Sequence, residues 1–164
     1  MIRQATIKDL SSITKIYNQA IESRKAVGDT AVFTAAQREP WLASHNGTRT
    51  PVFVYEDCGA VVGYCYLSEY RPGRQALEST AEISYFIDFN HHRKGIGSKL
   101  VQHMIGAAGE LGYKNLIAIL LSCNEGSIAL LKKFQFEQWG TLPDVANIDA
   151  NVYSHYYFGL KLRR

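Results

Sequence analysis

Apolar residues first recur at helical spacing over Leu10, Ile13, Ile16, Tyr17, Ala20 and Ile21, which share one face. A capping-box-like Thr6-x-x-Asp9 precedes them and marks the helix start, and Ile2 to Ala5 before it is a short strand candidate. Gly28-Asp29 is a loop, and Thr34-x-x-Gln37 opens a second, shorter helix containing Trp41 and Leu42. Pro51 to Glu56 and Ala60 to Glu69 read as a hairpin turning at Asp57-Cys58-Gly59. From Ser79 to Phe89 the pattern alternates: Ala81, Ile83, Tyr85 and Ile87 share one face, and Glu82, Ser84, Phe86 and Asp88 the other. A helix from about Gly97 to Leu111, a continuous apolar strand from Asn115 to Leu121 and a helix from Asn124 to Phe134 follow. Strands over Glu137 to Leu142 and Val152 to Leu162 complete the chain. This order predicts an α/β fold with a single mixed central β-sheet flanked by helices, in one domain over residues 1–164.

Composition narrows the function classes. Among 164 residues, 46% are hydrophobic and 20% charged, close to the globular average and against disorder. No apolar run reaches the roughly 20 residues of a membrane-spanning helix, and no secretory signal opens the chain. A net charge of +3, without a long basic run, favours an anionic ligand and disfavours nucleic acid. Cys58, Cys65 and Cys123 are scattered, which argues against a disulfide framework or a zinc site and for the cytoplasm. His91 and His92 are adjacent, but no carboxylate or Cys at useful spacing completes a metal site, so no metal is expected.

The chemistry concentrates in Arg93-Lys94-Gly95-Ile96-Gly97-Ser98, between a strand and a helix. Glycines let the backbone turn tightly and approach a ligand without a Cβ. The N–H groups of a helix start attract phosphate, and Arg93 and Lys94 add charge, so a pyrophosphate suits the turn. The spacing fits neither a P-loop nor a dinucleotide fingerprint, since Leu100 stands where the third glycine of the latter belongs. A tight turn without a ligand remains the alternative reading of the bare loop.

The segment from His92 to Gly97 resembles the acetyl-coenzyme A signature Gln/Arg-x-x-Gly-x-Gly/Ala of the GNAT superfamily of N-acetyltransferases, with His92 departing at its first position. Ile16-Tyr17-Asn18-Gln19-Ala20, Thr80-Ala81-Glu82, Ser122-Cys123-Asn124-Glu125-Gly126-Ser127 and Gly140-Thr141-Leu142-Pro143 resemble the phosphinothricin and methionine sulfoximine acetyltransferase branch. The resemblance implies a GNAT fold splayed between the strands at about 79–89 and 115–121, with acetyl-CoA as co-substrate. It implies main-chain contacts to the pantetheine arm around Phe86, Ile87 and Asp88, and a diphosphate held by Arg93, Lys94, Gly95, Ile96, Gly97 and Ser98. Asn124 is implied to bond the arm, with Ser127 and Lys132 or Lys133 reaching the cofactor from the next helix. Glu82 is implied as the base that frees the acceptor amine, directly or through water.

Two departures matter. Relatives carry Tyr, or in this branch His, as an acid where this chain has Leu131, and Gly where it has Gln135. A thiol pKa of about 8.5 makes the thiolate a tolerable leaving group, so a dedicated acid is dispensable, or Tyr153 or another tyrosine substitutes. Transfer is expected to be direct, because Cys123 has no evident His partner.

The resemblance implies a small, amino-acid-like amine acceptor, with Arg71 and Arg74 for its carboxylate and Phe33, Trp41 and Tyr153 near it. His155 is a further candidate within Ala146 to His155, where the branch's usual C-terminal motif is missing. A peptide N-terminus or aminoglycoside as acceptor, or a non-catalytic acetyl-CoA-binding regulator, are the alternatives. A homodimer through the Tyr/Phe-rich C-terminal strand is also expected.

Overall fold

The computed structural model describes residues 1–45 and 48–162. Its strands are β1 (Ile2–Gln4), β2 (Val52–Asp57), β3 (Ala60–Glu69), β4 (Thr80–Ile87), β5 (Asn115–Leu121), β6 (Glu137–Ile148) and β7 (Asn151–Lys161). The helices are α1 (Leu10–Glu22), α2 (Ala35–Ser44), α3 (Ile96–Glu110) and α4 (Glu125–Lys133). The strands form one sheet in the order β1-β2-β3-β4-β5-β7-β6, antiparallel except for β4 and β5.

Local chemistry sets the boundaries. Thr34 and Gln37 cap α2 reciprocally, with Gln37 N–H donating to Thr34 Oγ1 and Thr34 N–H to Gln37 Oε1. Thr6 and Asp9 form the expected box ahead of α1, and Asp9 also receives both terminal nitrogens of Arg3 at 2.8 and 2.9 Å. Burial of Asp9 acts against its charge, but the Arg3 bonds outweigh it and hold its carboxyl below the usual range. The β2–β3 hairpin turns through Cys58 at φ +49° and Gly59 at φ +79°, as a two-residue hairpin requires.

Each face of the sheet carries its own core. Leu100 and Met104 of α3, both fully buried, pack with Leu67, Ile83, Leu116 and Phe158. Ile13 and Ile16 of α1 and Leu42 of α2 pack with Val54 and Tyr64 on the opposite face. Each such aliphatic side chain contributes about 1.5–3 kcal/mol of burial.

β6 runs to Ile148, six residues past the expected end at Leu142. Pro143 hides this continuation in the sequence, and an irregularity between Leu142 and Ala146 opposite β7 accommodates it. A second shift, between Gln138 and Gly140, lays the Trp139 indole across Gly159, where a Cβ would fall 2.0 Å from the ring.

The parallel pair is short. β4 and β5 are joined only at Thr80–Asn115, Ala81–Leu116 and Glu82–Ile117. Beyond that point β4 stays with β3 as far as Ile87–Gly63, and β5 stays with β7 as far as Leu121–His155. The two strands diverge while each keeps its outer neighbour, which opens the sheet as expected.

Candidate active site

The opening between β4 and β5 leads into a cleft of about 520 Å³. Its walls include Tyr85, Phe86 and Ile87 of β4, the turn at Arg93, Gly95, Gly97 and Ser98, and Asn124, Ser127 and Leu130 near the start of α4. The expected strand, glycine turn and helix therefore meet around one space.

At the turn, Arg93 and Gly95 have φ of +61° and +77°. The first helical bond of α3 runs from Lys99 N–H to Gly95 O, so the N–H groups of Ile96, Gly97 and Ser98 have no acceptor within the helix. These donors and the positive end of α3 form a cradle for anionic oxygens. Gly97 keeps it open: a Cβ there would stand 3.1 Å from Leu130 Cδ2 and 3.3 Å from Ile87 Cδ1. Lys133 crosses from α4 to donate to Ser98 Oγ at 3.0 Å, bringing a cation to the helix start. Lys94 is exposed beside the turn and is not part of the cleft wall.

The strand before the turn has a defined parity. Asp88 N–H donates to Val62 O, so the main-chain groups of Phe86 also face β3. Those of Tyr85 and Ile87 face the opening instead. Ile87 O accepts from His92 Nε2 at 3.0 Å, which leaves its N–H toward the cleft. Phe86, expected to offer its main chain, contributes its ring instead.

Asp88 likewise differs from expectation, because its N–H is taken and it is not part of the cleft wall. Its buried carboxylate accepts from His91 Nδ1, Gln19 Nε2 and Asn90 N–H. Burial acts to raise its pKa, but these bonds outweigh it and hold the carboxyl low. Asp88 thus ties α1 to the segment leading into the glycine turn. Sequence reading missed this brace, since nothing in the local pattern links Gln19 to a residue 69 positions away.

On α4, Asn124 Oδ1 accepts from Ser127 N–H at 3.2 Å and caps the helix. Ser127 Oγ lies 2.7 Å from the Tyr85 hydroxyl, so Tyr85 spans the opening from strand to helix. Burial pushes the Tyr85 phenol up to about 12. Tyr85 was expected only as an apolar-face residue. Leu131, at the position of the absent acid, is fully buried in the α3-side core.

Glu82 is the last residue of β4 that pairs with β5, and it is not part of the cleft wall. It is partly buried, lies beside Ser68 in the antiparallel register and has no ion-pair partner among the described residues. Burial raises its pKa above the usual value. A carboxylate whose charged form is disfavoured, with no competing cation, is suited to accept a proton.

The other expected residues spread more widely. Arg71 and Arg74 are exposed on the β3–β4 connection, where Arg74 N–H donates to Arg71 O. Phe33 is partly buried, its main chain held by the Asn18 side chain at 2.8 and 2.9 Å. Tyr153 sits opposite Ala146 in the β6–β7 pair, and His155, whose pKa burial lowers, sits opposite Leu121. None of these five lines the cleft. Cys123 lies outside the cleft wall as well, its thiol directed at Lys25 O.

The model of the acetyltransferase (GNAT) domain family matches residues 2–156. The chain belongs to the GNAT family. It is an N-acetyltransferase of the branch that the sequence motifs resemble. An L-methionine sulfoximine/L-methionine sulfone acetyltransferase of Pseudomonas aeruginosa is 31% identical over 145 residues, covering 88% of this chain and 84% of the relative. The crystal structure of an N-acetyltransferase from Staphylococcus aureus superposes with a TM-score of 0.95 at 35% identity, over 99% and 98% of the two chains. A phosphinothricin acetyltransferase of Sinorhizobium meliloti, crystallised in complex with acetyl-CoA, gives a TM-score of 0.93 at 27% identity, over 99% and 88%. No groups of His, Cys, Asp or Glu suited to a metal ion occur among the described residues, nor does a helix long and apolar enough to cross a membrane.

Proposed function

We propose that this acetyltransferase moves an acetyl group from acetyl-CoA directly to the primary amine of a small amino-acid-like acceptor. The observation that carries the reading is the position of Glu82, a partly desolvated carboxylate at the fork from which the cleft opens. The Pseudomonas relative, named for methionine sulfoximine and methionine sulfone, supports the acceptor class.

The residues divide the work. The N–H groups of Ile96, Gly97 and Ser98 bind the diphosphate, with Arg93, Lys94 and Lys133 adding positive charge and Gly95 setting the turn. Main-chain groups of Tyr85 and Ile87 pair with the pantetheine arm as with an added strand, and Phe86 supplies an apolar wall. Asn124, through its amide nitrogen, and Ser127 bond the arm from the α4 side. Asp88 acts by bracing the turn.

Acetyl-CoA supplies an activated thioester. Glu82 accepts the proton of the acceptor ammonium, directly or through water, leaving the amine lone pair free to attack. A main-chain N–H on the open edge of β4 stabilises the oxygen that gains charge. The thiolate, with a conjugate pKa of about 8.5, departs without a side chain at position 131 to protonate it. Arg71 and Arg74 draw an anionic acceptor to the site, with Phe33 and Tyr153 toward its outer side. A covalent acetyl-enzyme is not needed, since Cys123 points elsewhere.

The three free cysteines suit a reducing compartment such as the cytoplasm. The exposed apolar residues Trp139, Leu142, Val145 and Val152 of the β6–β7 hairpin support homodimer formation through this face.

The test is thiol release from acetyl-CoA across a panel of free amino acids, methionine sulfone, methionine sulfoximine, phosphinothricin, peptides and aminoglycosides. Amine-dependent release with the amino acids, abolished in Glu82→Gln, supports the reading. Tight acetyl-CoA binding without amine-dependent release assigns a binding role instead.

A further inference from the structure

Two polar side chains stand in line with Glu82 across the β3–β4 pair. Ser68 of β3 lies directly opposite Glu82 in the antiparallel register. Directly opposed residues send their side chains to the same face, with Cβ atoms about 4.5–5.5 Å apart. On that face His45, at the C-terminal end of α2, brings its Nε2 to 3.3 Å from Ser68 Oγ. The imidazole is clamped there, with its ring centroid 4.9 Å from that of Trp41 and edge-on to Tyr66 at 5.2 Å. Tyr66 stands opposite Ser84, two positions along β4 from Glu82, and its hydroxyl feels the Glu82 charge. His45 and Glu82 thus border on the same tyrosine.

The hydrogen bonds decide which ring nitrogen carries the hydrogen. His45 Nδ1 lies 2.9 Å from Trp41 O and 3.2 Å from Ser44 Oγ. A carbonyl only accepts, and Ser44 Oγ directs its one hydrogen at the same Trp41 O, at 2.7 Å. Nδ1 is therefore the N–H, which leaves Nε2 of the neutral ring as a bare acceptor. Burial, with the charge of Arg38, outweighs the bond to Trp41 O and holds the imidazole below its usual pKa, so the neutral ring prevails near pH 7. Ser68 then donates its hydrogen to Nε2. What remains to face Glu82 is an oxygen with lone pairs and no hydrogen.

The other ionisable groups of this region are Arg38 of α2, Tyr64 and Tyr66 of β3, and Tyr17 of α1 with Asp29 at its hydroxyl. β5 sets the apolar Ile117 beside Glu82.

We propose that His45, acting through Ser68, is a positioning residue for the base: it turns the Ser68 hydrogen away from Glu82, so that Ser68 favours the protonated carboxyl over the carboxylate. The inference rests on the acetyl-transfer reading above and deepens it by naming what sets the strength of the base. A hydroxyl donating to the carboxylate would stabilise the charged form and weaken the base. An oxygen that can only accept does the reverse, and keeps the proton affinity of Glu82 closer to the working pH.

The experiment follows the Glu82 carboxyl by carbon-13 NMR and the acid limb of kcat/KM for acetylation in parallel, with the acceptor's own ionisation common to every variant. In His45→Asn the amide replaces Nδ1 but is too short to reach Ser68, so the Ser68 hydrogen is free to turn to Glu82. Titration and limb both move to lower pH by about half to one unit, the worth of one hydrogen bond, at an unchanged acetyl-CoA KM. In His45→Gln the amide oxygen replaces Nε2 as acceptor, and both stay at the native pH. In a Ser68→Ala background His45→Asn causes no further shift. If His45→Asn does not fold, His45→Ala takes its place with the same expectation. An unshifted titration and limb in whichever variant folds overturn the inference and leave Glu82 as the base. An equal shift in His45→Gln, or a shift that persists without Ser68, also overturns it, by making the ring itself and not its acceptor the cause. Full turnover in Glu82→Gln removes the base, and with it the role given to His45. If no amine is acetylated, the acetyl-transfer reading itself falls, and this one with it.

Discussion

Glu82 and Ile117 are the last partners joining β4 to β5. The carboxylate therefore stands at the fork of the sheet, where paired backbone gives way to open donors. One residue further and the strands no longer touch; one residue back and the carboxylate would point to the other face. The base of the proposed reaction is placed by strand register rather than by a loop.

Replacing Glu82 by Gln is expected to lower kcat by about 10²–10⁴-fold without raising the KM for acetyl-CoA. In the native protein kcat/KM rises with pH as Glu82 ionises, with its limb above the usual carboxylate range because burial raises this group. The linkage sign follows. A carboxyl whose folded pKa is raised binds its proton more tightly when folded, so stability falls as pH rises through that window. Glu82→Gln should melt higher than the native protein at pH 7 and alike at pH 4, by calorimetry.

Gly97→Ala tests the cradle. The added methyl group meets Leu130 Cδ2 and Ile87 Cδ1, both side-chain tips that can yield, but only by moving in the cleft wall. The acetyl-CoA KM should rise about tenfold or more, equivalent to 1.4 kcal/mol of binding, with kcat less affected. An unchanged KM in steady-state kinetics would mean that the arm and diphosphate bind elsewhere.

Asp88→Asn removes the brace between α1 and the glycine turn. Losing its charged hydrogen bonds to His91 and Gln19 should cost about 1–3 kcal/mol of stability and weaken acetyl-CoA binding together. Since the Asp88 carboxyl is held low, its contribution is present above the usual carboxylate pKa and lost as pH falls through the folded value. Denaturant melts of native and variant proteins should converge at acid pH.

The missing acid gives a prediction of opposite signs to intuition. Leu131 is sealed in the core, so Leu131→Tyr should overpack it, at a cost of about 1–3 kcal/mol in stability, with no gain in turnover. Tyr85, the phenol that does line the cleft, is pushed too high to give up its proton readily. Tyr85→Phe should lower kcat by no more than about tenfold, the worth of one hydrogen bond. A hundredfold loss would make Tyr85 a proton donor.

How far the sequence revealed the molecule depended on whether a feature was local. The capping boxes at Thr6 and Thr34, the Cys58-Gly59 turn and the Gly95-Ile96-Gly97 turn are written in adjacent residues, and all formed. Gln135, where relatives have Gly, takes φ +64°, the left-handed conformation that Gly adopts most easily. Gln135→Gly should accordingly stabilise the fold by up to about 1 kcal/mol in thermal melts. Features made by distant segments were not legible. Gln19 meets Asp88, Tyr85 meets Ser127, and Arg38 meets the Tyr17 ring only once α1, α2, α4 and the sheet have assembled. The main-chain parity that turns Ile87 rather than Phe86 toward the cleft depends on register with β3, which alternation alone does not set.

The most direct test of the central claim is a crystal structure of the protein with acetyl-CoA. The account predicts diphosphate oxygens within hydrogen-bond distance of the N–H groups of Ile96, Gly97 and Ser98, the arm between β4 and β5, and the thioester beside Glu82. A carrier bound with that turn empty, or with its thioester remote from Glu82, would contradict it.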